Sequence, residues 1–343
     1  MQIGNEFWQP GMHDQLSRNS FHKMSPKQTL RSLGRLLLGE RKYASVARLI
    51  KPRREAKDYH GRRIEGTDEE GAATLSEVVR SGHPATVGKI GASELRACRE
   101  AEELRSGRKS KVLCSILHEL HLHSGVFPPT QETLIRFADA FVEAAPEIDV
   151  LGVWFLDGER NFVGRHVPKA RLIRLIPLEP YTSKETPWSA LLAGKRVVVV
   201  SPFTRSIESQ YARRGEVWRA RPEVLPGFQL RTVRVPLSDC LVKSPYPDWF
   251  AALDALKRKL ASEPFDVAII GAGAFSIPLA VEAKRLGGIG IHLGGATQLL
   301  FGILGGRWED SECLRPFVND SWVRPSGDER PARFRKMEGG SYW

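Results

Sequence analysis

Cysteine is scarce: four residues in 343 (Cys98, Cys114, Cys240, Cys313), with no CxxC and no paired spacing. That pattern excludes a disulfide framework or a zinc-ribbon module, and the thiols read as small buried apolar side chains in a reducing compartment. Long apolar runs are also missing. None approaches the ~20 residues that cross a bilayer, and Leu36-Leu37-Leu38 is too short for a signal-peptide core and is preceded by several charges. A cytoplasmic location is the expectation. No internal repeat of about 20–50 residues occurs, which excludes solenoids and propellers. Acidic charge is in deficit, with 40 Asp and Glu against 51 Lys and Arg, but the deficit is local. Residues 1–57 hold twelve Lys/Arg and four Asp/Glu, a net of +8 that leaves +3 of the total +11 for the rest. A basic arm on a near-neutral body gives no reason to expect nucleic acid as a partner.

What is present is an alternation of β-branched runs, glycine turns and apolar helices. The densest example is DVAIIGAGAFSIPLAVEAKRLGGIGIHLGGATQLL, from Asp266 to Leu300. Val267–Ile270 predicts a buried parallel strand, Phe275–Leu286 a helix stopped by Gly287-Gly288, and Ile289–Leu293 a second strand followed by Gly294-Gly295. Earlier segments repeat the pattern. Strands are expected over 85–90, 149–156, 171–176, 197–200 and 229–235, with helices between. The fold class is therefore α/β: a Rossmann-like open, mostly parallel sheet with helices on both faces, plus a basic N-terminal arm. The expected organisation is a flexible arm over 1–70, the α/β domain over 71–310 and a C-terminal extension over 311–343. Within the arm, Leu30, Leu33, Leu37, Ala44, Ala47 and Ile50 fall near helical spacing among arginines and lysines. Such a helix either packs on the domain or lies on anionic lipid, giving residues 26–57 a peripheral membrane contact at the inner face.

Open α/β sheets place ligands at the carboxyl ends of their strands. Small residues just past a strand let backbone amides approach an anion, and the next helix presents its positive end. Gly271, Gly273 and Ala274 follow one predicted strand, Gly294 and Gly295 another, and Ser201, Thr204 and Arg205 a third. Each is a candidate phosphate or nucleotide contact; the alternative is glycines that only allow tight strand–helix packing and an ordinary capped helix. The Gly271 turn fits G-x-G-x-x-G only at its first two positions, and His292 stands where an NAD site has its ribose-binding acid. After the first strand come Gly91, Ser93 and Glu94, with Ser93 the expected helix cap and Glu94 in the first turn. Asp157 and Glu159 flank Gly158 past the second strand, as metal ligands or as a turn. His118 and His121 lie three apart, as metal-binding or as surface residues.

Two of these stretches carry a family resemblance. Strand 266–270, the Gly-Ala-Gly turn, Lys284, Gly287 and the strand ending Ile291-His292-Leu293-Gly294 resemble the C-terminal half of bacterial GT-D-type glycosyltransferases. Lys89-Ile90-Gly91-Ala92-Ser93-Glu94 is similar to that family's Arg-Phe-Gly-Asp-Gly-Glu segment, whose two acids serve metal and nucleotide-sugar binding. Glu94 matches the second acid, and Ala92 stands in place of the first. The resemblance implies transfer of a sugar from a nucleotide-sugar donor to a cell-surface glycan or lipid-linked acceptor, with Mn²⁺ or Mg²⁺ as the implied ion. Glu94, His292 and Asp157 are then the candidate bases, and Glu94, Asp157 and Glu159 the candidate metal ligands. An NAD(P)-binding oxidoreductase and a non-catalytic sugar-nucleotide-binding protein are the alternatives.

Overall fold

The computed structural model describes residue 59 and residues 61–238 and 242–343; the basic arm over 1–57 and Cys240 lie outside them. Runs of β-branched residues build the strands, RVVVVS in β4 (Arg196–Ser201) and VAII in β6 (Val267–Ile270) being the purest. With β1 (Ala85–Gly88), β2 (Val150–Val153), β3 (Arg171–Arg174), β5 (Gln229–Arg234) and β7 (Ile289–His292) they form one sheet of order β3-β2-β1-β7-β6-β4-β5. All six pairings are parallel. The Rossmann-like α/β architecture read from the sequence is the one observed.

The connecting helices are α1 (Asp68–Ser81), α2 (Ala92–Arg105), α3 (Cys114–Ser124), α4 (Gln131–Ala144) and α5 (Glu159–His166) in the first half. The second half has α6 (Thr204–Ala212), α7 (Arg214–Val217), α8 (Trp249–Ala261), α9 (Ser276–Arg285) and the short α10 (Ala296–Leu300). Alternate side chains of a strand face opposite ways. Val198 and Val200 of β4 therefore enter a core with α2, α4, α8 and α9, while Val197 and Val199 enter the other, with α1, α7 and α10. Among the described residues, no helix is long and apolar enough to cross a membrane.

Two boundaries differ from expectation. Thr67 and Glu70 form a reciprocal capping box, so α1 begins at Asp68, inside the charged stretch expected to be linker. Tyr59 and Ile64, further upstream, are buried in the core. At the other end, Leu314, Trp322, Met337 and Trp343 are buried in the same core as Leu299 and Leu300. Residues 311–343 thus complete one face of the domain instead of extending from it.

The sheet is brought close to α9 by Gly290 in the middle of β7. A Cβ there would come within 2.3 Å of the Ala280 carbonyl oxygen and 2.5 Å of its Cα. Gly290→Ala should therefore cost about 1–3 kcal/mol through overpacking against backbone that cannot rotate away. Urea denaturation would read this as a lower midpoint at unchanged slope; a midpoint equal to wild type would show that α9 can shift.

Candidate functional site

The parallel sheet puts the ends of β1, β2, β6 and β7 along one edge, and a narrow crevice opens there. Lys89, Gly91 and Glu94 line it from beyond β1, His292 from the end of β7, and Gly273 and Ala274 from beyond β6. The space between its atoms is about 160 Å³, partly open to solvent and too narrow as it stands to admit a water molecule. The sheet thus gathers Glu94, His292, Gly91, Gly273 and Ala274, which the sequence singles out separately. It adds Lys89, which the sequence reading placed within the strand over 85–90 and gave no role of its own; the strand ends one residue earlier, at Gly88.

Glu94 occupies the third position of α2, whose N-cap is Gly91 and not Ser93. A Cβ at position 91 would lie 2.0 Å from Glu94 Oε2, so a larger residue there would displace this carboxyl. The carboxyl folds back over the start of its own helix and is buried. Ser93 Oγ donates to Glu94 Oε2 at 3.2 Å and lies 2.6 Å from Ser124 Oγ, at the end of α3. Burial raises the Glu94 pKa; its own backbone amide, Ser124, Ser93 and the Lys89 charge act against that rise. Glu94 is a desolvated carboxyl with a heightened affinity for a proton.

Lys89 is half-buried and its ammonium sits 5.0 Å from the centre of the Trp154 ring, a cation–π contact. It makes no ion pair among the described residues; the carboxylates whose charge reaches it, Glu179 and Glu94, are not within ion-pairing distance. Burial pushes its pKa down to about 8, with Glu179 and Glu94 opposing and Arg307 adding to the fall. His292 is buried, and its Nδ1 has no hydrogen-bond partner. Burial first, then the Lys89 charge, push its pKa down to about 3, against a hydrogen bond to the Lys89 backbone. His292 is neutral at physiological pH, with one ring nitrogen uncommitted.

The other candidates are engaged elsewhere. Glu159 is fully buried and accepts hydrogen bonds from the Tyr59 hydroxyl at 2.9 Å, the Trp154 amide at 3.1 Å and the Leu156 amide at 3.2 Å. It holds the loop after β2 to the start of α5. Asp157 points into solvent, 3.2 Å from Arg99. Glu94, Asp157 and Glu159 therefore do not converge, and among the described residues no group of three or more His, Cys, Asp or Glu is gathered. This donor set does not fit a divalent cation. His118 and His121 do not form a pair either: His118 donates to the Cys114 carbonyl and His121 to that of Ser238.

The Gly271 turn is packed on protein. A Cβ at Gly271 would lie 2.6 Å from both the Gly294 carbonyl oxygen and Thr297 Oγ1, and one at Gly273 would lie 2.8 Å from the Ser124 carbonyl oxygen. The amide of Gly271 donates to Val200 and that of Ala272 to Ser276 Oγ. These glycines let the β6 and β7 turns and the end of α3 meet, which is the packing alternative to a dinucleotide cradle. Ser201, Thr204 and Arg205 stand at an α6 N-terminus that does hold an anion, and the anion is the chain's own. Glu329 accepts from the Arg205 amide at 2.7 Å, the Ser206 amide at 3.3 Å and Ser206 Oγ at 2.5 Å, while Asp328 pairs with the Arg205 side chain. Thr204 is the first helical residue and Phe203 the N-cap.

Gly294 and Gly295 remain at the site. Gly294 faces Lys89, whose Nζ would lie 3.5 Å from an added Cβ, and Gly295 lies beneath Tyr342 and Trp308. No protein-family model, no curated protein and no solved structure matches the chain, so the crevice has to be interpreted from its own chemistry.

Proposed function

We propose that the chain is a glycosyltransferase that takes a nucleotide-sugar donor at the β1–β7 edge and delivers the sugar to a glycan or glycolipid acceptor. The observation that carries this reading is the Lys89 ammonium, half-buried and without an ion-pair partner among the described residues, beside the buried Glu94 carboxyl. A desolvated cation costs stability, and an anionic ligand repays that cost. In the proposed step an acceptor hydroxyl attacks the anomeric carbon and Glu94 takes its proton. The bond from that carbon to the diphosphate breaks, and the diphosphate departs with the electron pair towards Lys89. His292, neutral, offers its free ring nitrogen to a sugar hydroxyl. Because the acids do not fit a divalent cation, the diphosphate charge is assigned to side-chain cations.

A thermal-shift panel of UDP-, GDP-, dTDP- and CMP-sugars, NAD and NADP, each with and without Mn²⁺, tests the reading. A ligand at 100 times its Kd should stabilise the native state by about 2.7 kcal/mol, and one nucleotide-sugar class is expected to do so without metal. Lys89→Met should abolish that shift. Glu94→Gln should keep it while lowering transfer roughly 10²–10⁴-fold. Binding without turnover in wild type would make the chain a non-catalytic sugar-nucleotide binder. Stabilisation by NAD or NADP alone would replace the proposal with a dehydrogenase.

A further inference from the structure

The C-terminal segment packs against the glycine turn that follows β7, next to Lys89 of the crevice. Past β7 the chain runs through Gly294-Gly295, and these two positions face opposite neighbours. An added Cβ at Gly294 would meet Lys89 Cε at 3.2 Å; one at Gly295 would meet Tyr342 Cε1 at 2.7 Å and Trp308 Cη2 at 3.1 Å. Arg307 sits on those two rings, its guanidinium carbon 5.8 Å from the centre of Trp308 and 5.9 Å from that of Tyr342. Its Nη1 lies 3.4 Å from Glu338 and 3.2 Å from the Tyr342 hydroxyl. That ion pair is long and more than a third exposed on each side, so a phosphate can displace Glu338 at little cost. Lys89 thus lies against Gly294, and Arg307 lies on the two rings that cover Gly295, close enough for its charge to act on Lys89. Like charges brought together around a turn with no side chain of its own are a arrangement that an anion between them relieves.

We infer that Lys89 and Arg307 form a two-point clamp across the Gly294–Gly295 turn that reads a diphosphate in preference to a single phosphate. The inference rests on the reading of Lys89 as an anion anchor and adds the ligand class: a compound with two linked phosphoryl groups, one at each cation. Arg307 is suited to the outer position because a planar guanidinium binds phosphate oxygens bidentately while stacked on aromatic rings. Lys89, deeper and opposite Trp154, acts as a point charge.

Inorganic pyrophosphate and inorganic phosphate, titrated into the full-length protein at constant ionic strength by calorimetry, separate the possibilities without assuming a base or sugar. Wild type should bind pyrophosphate about tenfold or more tightly than phosphate. Arg307→Ala should lose that preference and keep weak binding of either anion, whereas Lys89→Met should lose both. Arg315→Ala, an exposed arginine of the same segment, should bind as wild type. Unchanged pyrophosphate preference in Arg307→Ala overturns the clamp and leaves Lys89 as the anion anchor. An equal loss in Arg315→Ala overturns it too, by showing an effect of net charge. If wild type binds neither anion nor any nucleotide-sugar, the underlying reading falls with the clamp. Circular dichroism of each variant separates lost binding from lost folding.

Discussion

Glu329→Ala is expected to lower the stability of the domain by about 1–3 kcal/mol, the range for leaving buried donors without their acceptor. The Glu329 side chain is fully buried, and the amides of Arg205 and Ser206 with the Ser206 hydroxyl all donate to it. Those amides belong to the first turn of α6, where no intrahelical acceptor exists and the helix dipole favours negative charge. Without the carboxylate the donors stay buried and unpaired. The C-terminus is involved as well, because Trp343 Nε1 donates to the Glu329 carbonyl at 2.9 Å and the Trp343 ring packs edge-on against Phe203, just before α6. Glu329→Gln should lose less than the alanine variant, since an amide oxygen still accepts. Asp328→Ala removes two exposed contacts, the pair with Arg205 and the hydrogen bond from Ser326 Oγ, and should cost less than Glu329→Ala. Urea unfolding of the three variants checks the order. A Glu329→Ala penalty no larger than that of Asp328→Ala would show that solvent replaces the carboxylate.

The second large effect is a pH dependence, and its sign follows from His292. The unfolded side chain takes a proton near pH 6.5, whereas in the folded protein burial and Lys89 hold it off until about pH 3. Between those values the unfolded chain binds a proton that the native state refuses, so native stability falls as pH falls through this window. The full separation corresponds to as much as about 4–5 kcal/mol. Glu94 and Glu159, whose pKa values are raised, act in the opposite sense and are common to wild type and variant. His292→Asn should therefore flatten the stability profile between pH 3 and 6.5, whatever it does to stability at pH 7. Denaturant midpoints at half-unit pH steps for both proteins supply the difference. Parallel profiles would mean that His292 is protonated in the native state, and with it that Lys89 does not face it as a charge.

Much of the site was legible because local rules place it. A β-branched run bounded by glycine and followed by an apolar helix fixes where a strand ends, and in a parallel sheet all such ends share one edge. Glu94, His292, Gly91 and Gly273 were singled out on that basis, and all of them line the crevice. The α6 N-terminus was expected to contact a phosphate, but its first-turn amides are taken by a carboxyl of the chain itself. That this carboxyl is Glu329, 124 residues from Arg205, is a contact no local pattern signals. Lys89 was given no role because it was read as part of the strand over 85–90; only Trp154, brought beside it by β2, makes it a desolvated cation. Arg307 and Tyr342 were hidden in an aperiodic tail.

From sequence alone came the fold class, the parallel sheet and the edge at which the strand-end residues gather, since each depends on side-chain periodicity and turn chemistry within a few residues. Tertiary structure decided what fills each turn. A glycine is required wherever another group comes close, and the chain reads the same whether that group is a phosphate or its own backbone. Gly271 and Gly273 are closed by Thr297, Gly294 and Ser124, and the Ser201–Arg205 turn by Glu329, while Gly294 has Lys89 against it and Gly295 has Tyr342 and Trp308. Contacts between different elements of the chain made that selection, because occupancy of space is a property of the packed chain and not of any segment.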